Sequence, residues 1–193
     1  MLFRSRGTLL RRATDPRESH LGGIMNTVLP EPSIPSHQGP DARSVDPDLD
    51  VMTMAVAVPT TIAHVHYWAV DLTRSASKDE VLEAFARSSR IVLIDGNTGL
   101  IAPNAVKELM ADSGRPHDSL YELGLWADML HVEGTELFYA YMVDNQAIVI
   151  PETIDAIRAL TENRMPAGES IALTDAMLEM GAPFAARGSR LST

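Results

Sequence analysis

Residues 51–72 read VMTMAVAVPTTIAHVHYWAVDL, two extended runs separated by a short Pro-Thr-Thr segment. Along the first run, 51–58, side chains alternate so that Met52, Met54, Val56 and Val58 share one side. The second, 60–72, carries Val65, Tyr67, Trp68 and Val70. A parallel crossover needs about a dozen residues or more, so runs this close pair otherwise. The same holds downstream, where residues 129–132 and 137–143 are joined through Glu133-Gly134-Thr135 as a hairpin.

Helical signals stand between and after these runs. Ser77-Lys-Asp-Glu80 has the capping-box pattern and opens a helix to residue 88, with Val81, Leu82 and Phe85 as its apolar stripe. A dense β run, 90–94, leads through the turn Asp95-Gly96-Asn97-Thr98-Gly99 to a second helix, 104–113, ended by Gly114 with Pro116 beyond. Residues 120–126 form a further strand, Pro151 begins a helix through Leu160, and an amphipathic segment covers 171–180. Near the start, strand 8–12 enters a polar loop at 15–23. Residues 26–50 read as irregular because Pro30, Pro32, Pro35, Pro40 and Pro47 disfavour helix interiors and central strands. The interleaving predicts an α+β fold: a mixed, largely antiparallel sheet with helices packed on one face. With 193 residues, 45% of them hydrophobic, the chain makes one domain, residues 8–181, after a poorly ordered basic start (1–7) and before a flexible tail (182–193).

Composition narrows the function classes. A net charge of −10 argues against nucleic acid as a partner, because phosphate backbones are held by clustered cations. No apolar run approaches the roughly 20 residues that span a bilayer, so a soluble protein without a membrane partner is expected. The arginine-rich opening Met1-Leu-Phe-Arg-Ser-Arg has the look of a transit peptide but reads better as a strand interrupted by a false or truncated start. With no cysteine, the chain supplies neither a disulfide nor a thiol nucleophile.

The chemistry-bearing residues gather in the first third of the chain. His64 and His66, two apart on a strand, point to one side with Trp68 and Val70. Such a pair can hold a metal or shuttle a proton, or it can be two satisfied strand histidines. No third ligand stands nearby at metal-site spacing, and His37 joins them only through the fold. Asp46, Asp48 and Asp50 imitate half a calcium loop but lack its glycine and closing Glu, so no metal is expected there. Arg11-Arg12 suits a phosphate, whose geometry a guanidinium matches, or serves as a soluble edge-strand pair. In Ser36-His37-Gln38-Gly39-Pro40-Asp41 the Gly-Pro turn signal would hold His37 and Gln38 on a rigid loop. Gly96 and Gly99 lack a third glycine and a pyrophosphate-binding context, so no dinucleotide-binding unit is encoded. Tyr121, Trp126, Phe138, Tyr139 and Tyr141 read as sheet and core aromatics. Basic and imidazole groups in an acidic protein point to an anionic, phosphorylated small molecule.

Several ordered segments resemble one family. They are Arg11-Arg-Ala-Thr-Asp-Pro16, Asn26-Thr-Val-Leu-Pro30, Pro35-Ser-His-Gln-Gly-Pro-Asp41 and Thr53-Met-Ala-Val-Ala-Val-Pro-Thr-Thr61 with His64-Val-His66. Gly114-Arg-Pro116 and Ile150-Pro-Glu-Thr-Ile-Asp-Ala-Ile-Arg158 continue the series. Together they resemble the archaeal-type (type II) phosphorylating glyceraldehyde-3-phosphate dehydrogenases. The resemblance implies the C-terminal catalytic domain of such an enzyme, without its N-terminal NAD or NADP-binding Rossmann domain and its nucleophilic cysteine. It implies His64 as general base, with His37, Gln38, Arg11, Arg12 and His66 binding a triose phosphate. Arg11 would also stand on the cofactor side. The family's His-Gln-Glu-Ser stretch is replaced by Asp144-Asn145-Gln146-Ala147, which leaves Asn145 as a weak cofactor contact. A cytoplasmic homo-oligomer follows from the same resemblance, with a separate nucleotide-binding chain as a further partner and with no dehydrogenase activity expected of this chain alone. Two other readings stay open: an interaction module that retains the subunit contact, and a His-x-His metal enzyme. Removal of a neighbouring domain would uncover Leu173, Met177, Leu178 and Met180.

Overall fold

The computed structural model describes residues 4–12, 28–161 and 165–188. The loop expected at 15–23 lies outside them. Strands β1 (Arg4–Arg12), β2 (Leu29–Pro30), β3 (Asp50–Val58) and β4 (His64–Asp71) come first, with helix α1 (Gln38–Val45) before β3. Helix α2 (Lys78–Ala86), β5 (Ile91–Ile94), α3 (Pro103–Asp112), β6 (Leu123–Trp126), β7 (His131–Glu133) and β8 (Glu136–Val143) follow. Helices α4 (Val149–Leu160), α5 (Ala167–Met177) and α6 (Ala182–Gly188) close the described chain. Strand β1 therefore begins before residue 8, and α6 occupies part of the stretch expected as a tail.

The strands form one sheet in the order β2-β3-β1-β4-β8-β6-β5, with β7 also paired to β8. β1 runs parallel to β3, β5 runs parallel to β6, and the remaining pairs are antiparallel. The α+β class with a mixed, largely antiparallel sheet is what the structure has. β1 lies inside the sheet between β3 and β4, but its pairing with β4 stops at Leu10, so Arg11 and Arg12 pair with β3 alone.

Helices occupy both faces, not one alone. On β8, Ala140 and Met142 join a core with Ile94, Trp126 and, from α3, Val106 and Met110. The alternate β8 residues Leu137, Tyr139 and Tyr141 pack instead with Leu125 and with Val81, Leu82 and Phe85 of α2. We call the second face, which also bears α1, the α2 face. The reason is visible in the strand itself: apolar residues occupy both parities of β8, so each side needs a cover. Ser77 caps α2 as expected, its hydroxyl accepting from the Glu80 N–H while Glu80 accepts from the Ser77 N–H.

Helix α1 corrects the irregular reading of residues 26–50. Pro40 is its third residue, where a proline lacks an N–H that would have no intrahelical acceptor in any case. Two polar assemblies, one buried and one partly exposed, fasten the periphery. Glu122, fully buried, takes both guanidinium nitrogens of Arg115 at 2.6 and 2.7 Å and the Gly181 N–H at 2.6 Å. Arg90 reaches Glu152, Asp155 and Asp175, tying β5 to α4 and α5. On α5, Leu173 and Met177 are exposed, while Leu178 and Met180 beyond it are half-buried.

Candidate functional site

Residues paired across neighbouring strands point to the same face, so register locates the candidate side chains. Leu9 stands between Ala55 and His66, and His66 stands opposite Tyr141. One row over, Gly7 lies between Thr53 and Trp68, with Trp68 opposite Tyr139. This is the α2 face. Arg11, two beyond Leu9, shares it, as does His64, two before His66. Val143, at the end of β8, pairs with His64, and Asn145 lies two residues further on. The C-terminal ends of β1 and β8 and the start of β4 thus meet at one end of the sheet.

The N-terminus of α1 is fastened to this same face through Thr53. The Ser36 hydroxyl donates to Thr53 Oγ1 at 2.9 Å, the Gly39 N–H donates to it at 3.0 Å, and Thr53 donates to the Ser36 carbonyl at 3.0 Å. The Ser36 N–H also reaches the Thr53 carbonyl at 2.9 Å. Glycine is required at 39, because a Cβ there would lie 2.9 Å from Thr53 Oγ1. His37 and Gln38 therefore begin a pinned helix and do not sit on the expected loop. His37 is exposed at the N-cap position with no capping hydrogen bond, and Gln38 is half-buried.

His66 has the most constrained environment. Its ring lies 6.1 Å from that of His64 and nearly parallel to it. Nδ1 is 3.0 Å from the Tyr141 hydroxyl, which also accepts from Trp68 Nε1 at 3.1 Å. Trp68 can lie across β1 because Gly7 has no side chain; a Cβ there would stand 2.9 Å from the indole. Burial, and next the neighbouring His64, push the His66 imidazole down to about 4. Burial pushes the Tyr141 phenol up, so it stays protonated. Three buried polar atoms have no partner among the described residues: His66 Nε2, Gln38 Oε1 and Asn145 Oδ1. Unpaired groups of this kind favour a ligand that completes them.

Arg11 forms an ion pair with Glu31 at 3.5 Å, both side chains about one-third exposed. Arg12 closes β1, and its side chain lies outside the described residues. The structure thus gathers Arg11, His64, His66 and the start of α1 on one face, with Asn145 at the same end. Sequence reasoning missed Tyr141 and Thr53 as parts of this site. Their signal was faint, since both read as ordinary strand residues until the register is known.

Among the described residues no three His, Cys, Asp or Glu side chains are grouped to hold a metal ion. At the turn after β5 two backbone amides are already taken. The Gly96 N–H is taken by Asp128 at 2.7 Å and the Asn97 N–H by Asp95 at 2.8 Å. Two carboxylates occupy the amides that a pyrophosphate would need, and their charge repels it.

Over residues 9–112 the chain matches the family described as Glyceraldehyde 3-phosphate dehydrogenase, C-terminal domain. It is 41% identical over 177 residues to glyceraldehyde-3-phosphate dehydrogenase of Metallosphaera sedula, an alignment covering 91% of this chain and 52% of that protein. The enzyme of the same name from Pyrobaculum calidifontis is 43% identical over 173 residues, covering 89% of this chain and 50% of that one. For Haloarcula marismortui the figures are 41% over 179 residues, 92% and 50%. The chain spans about half the length of these relatives.

Proposed function

Because the chain belongs to the glyceraldehyde 3-phosphate dehydrogenase C-terminal-domain family, we propose that it is the substrate-binding and proton-handling portion of a phosphorylating glyceraldehyde-3-phosphate dehydrogenase. What supports this reading is that Arg11, His64 and His66 share one face of the sheet, the face to which the start of α1 is pinned through Thr53. In it, Arg11 attracts the ester phosphate of the triose, while Arg12, next along β1, belongs to the other row of the strand. His37, Gln38 and His66 contact the rest of the substrate. Gln38 Oε1, a buried acceptor without a partner among the described residues, suits a substrate hydroxyl. His64 takes the proton that the substrate hydroxyl releases.

The thiol that attacks the aldehyde cannot come from this chain, which has no cysteine. NAD or NADP accepts the hydride in the family, and the turn after β5 offers its pyrophosphate amides already bonded to carboxylates. A nucleotide-binding domain, in the same polypeptide or a separate one, would supply the cofactor, leaving Arg11 and Asn145 as the nearest contacts of these residues. On its own, the chain binds substrate and holds a general base but does not oxidise it. We also propose a homo-oligomer. Met52, Met54, Tyr67, Met129 and Phe138 are exposed and line one shallow depression on the face opposite His66. No helix among the described residues is long and apolar enough to cross a membrane, and a cytoplasmic protein fits this reading.

Binding is the direct test. Titration of the chain with sn-glycerol 3-phosphate, a triose phosphate mimic that cannot be oxidised as an aldehyde, should shift the imidazole NMR signals of His64 and His66. Arg11→Gln should weaken that binding severalfold. Unchanged imidazole signals at millimolar ester would sink the proposal.

A further inference from the structure

We propose that Tyr141, anchored by Trp68, is a positioning residue that fixes His66 as an Nε2–H hydrogen-bond donor, dividing the labour of the two strand histidines. Under this division His66 donates to a substrate oxygen, and His64 alone of the pair accepts a proton. The inference rests on the substrate-site reading above and deepens it.

Hydrogen-bond accounting carries it. Trp68 Nε1 can only donate, so its 3.1 Å contact uses one lone pair of the Tyr141 oxygen. The phenol then has one hydrogen to place, and His66 Nδ1 lies 3.0 Å away. If Tyr141 donates to Nδ1, the chain Trp68→Tyr141→His66 runs in one direction and every one of these groups is used. Nε2 then carries the ring proton, and it is the single group left over. In the reverse arrangement Nδ1–H donates to the phenol oxygen. The Tyr141 hydrogen and the Nε2 lone pair would then both be stranded in a buried place, which is the costlier outcome. The one-way chain is therefore favoured, and a series of aligned donors strengthens each member.

Neighbouring groups agree with this assignment. The ring of His66 meets Tyr141 edge-on at 4.9 Å between centroids, which holds the imidazole against rotation. His64, the nearest charged or titratable neighbour on β4, stacks on it and disfavours a second positive charge. Across the pairing with β1, Leu9 is apolar and buried and offers an imidazolium no partner. Nε2 itself is buried and without a partner among the described residues, so it is a donor awaiting an acceptor. A carbonyl, alkoxide or phosphate oxygen supplies one; an ammonium or an amide N–H does not.

The chain labelled with 15N-histidine provides the readout, because long-range proton–nitrogen correlations distinguish the two tautomers ring by ring. The expected result is His66 held wholly as the Nε2–H form near neutral pH. Tyr141→Phe should release it to a mixture of tautomers, and Trp68→Phe should do so partially. An Nδ1–H tautomer in the unaltered chain overturns the inference, and needs no variant to fold. So does a tautomer unchanged by Tyr141→Phe in a chain whose remaining spectrum is native. Addition of inorganic phosphate or sn-glycerol 3-phosphate separates this from the binding reading. If neither moves the Nε2–H signal while the tautomer result stands, the positioning role of Tyr141 holds and the substrate-site assignment fails.

Discussion

Acid should unfold this protein through His66 in a way that one substitution removes. The imidazole is held near 4 in the fold against an ordinary value of 6.5. The unfolded chain therefore binds this proton more readily than the folded one. The stability tied to a neutral His66 is fully present above about pH 6.5 and is lost as pH falls toward about 4. Between about pH 7 and about pH 5 the linkage amounts to about 2 kcal/mol, a sizeable share of a typical domain stability of about 5–15 kcal/mol. Urea unfolding, followed by the fluorescence of Trp68 and Trp126, measures it. Other groups titrate over the same range, so the comparison is with His66→Phe, which cannot protonate. That variant should be less stable at neutral pH, because the Tyr141 hydroxyl loses its acceptor. Its stability should fall by about 2 kcal/mol less than that of the unaltered chain between the two pH values. Parallel pH profiles for the two proteins would refute the reasoning, as would an NMR titration placing His66 at its ordinary value.

Glu122→Ala leaves the Arg115 guanidinium buried without its bidentate partner and frees the Gly181 N–H. It should cost about 3–5 kcal/mol in denaturant unfolding, with the Gly181 amide among the first to lose protection from hydrogen exchange. The apolar depression lined by Met52, Met54, Tyr67 and Phe138 should make the isolated chain self-associate at micromolar concentration. Light scattering at low and high salt tests this, since an apolar contact persists as ionic strength rises. A salt-independent monomer would show that this surface is not an interface.

Much of the fold was legible because local signals and tertiary needs agree. The capping box at Ser77 and the hairpin at Gly134 each left little choice of structure, whereas the short gap between β3 and β4 did not make them partners, because β1 lies between them. Helix α1 was hidden by a proline count that ignored position. Pro40 is harmless in the first turn, and the helix is held there by Thr53, a residue 14 positions from Gly39. No local rule carries that staple. The cover on both faces was encoded in β8, where Leu137, Tyr139 and Tyr141 alternate with Phe138, Ala140 and Met142. Aromatic content drew attention away from that double pattern.

The site was legible to the extent that strand period decides it. His64 and His66 share a face by spacing alone, but what distinguishes them comes from 75 residues away, through the pairing of β4 with β8 that sets His66 against Tyr141. That distinction bears on how an anion is held in a chain of net charge −10. Long-range repulsion works against a phosphate here, and Arg11 already has Glu31 as a counter-ion. An incoming phosphate must compete with that carboxylate for the guanidinium. A neutral donor has no such competitor. If His66 were an imidazolium it would add charge but incur the penalty of burying it; as a neutral Nε2–H donor it avoids that penalty and still supplies a directed hydrogen bond. Short-range donors fixed by the fold, more than net charge, are therefore what this surface has to offer a phosphorylated substrate.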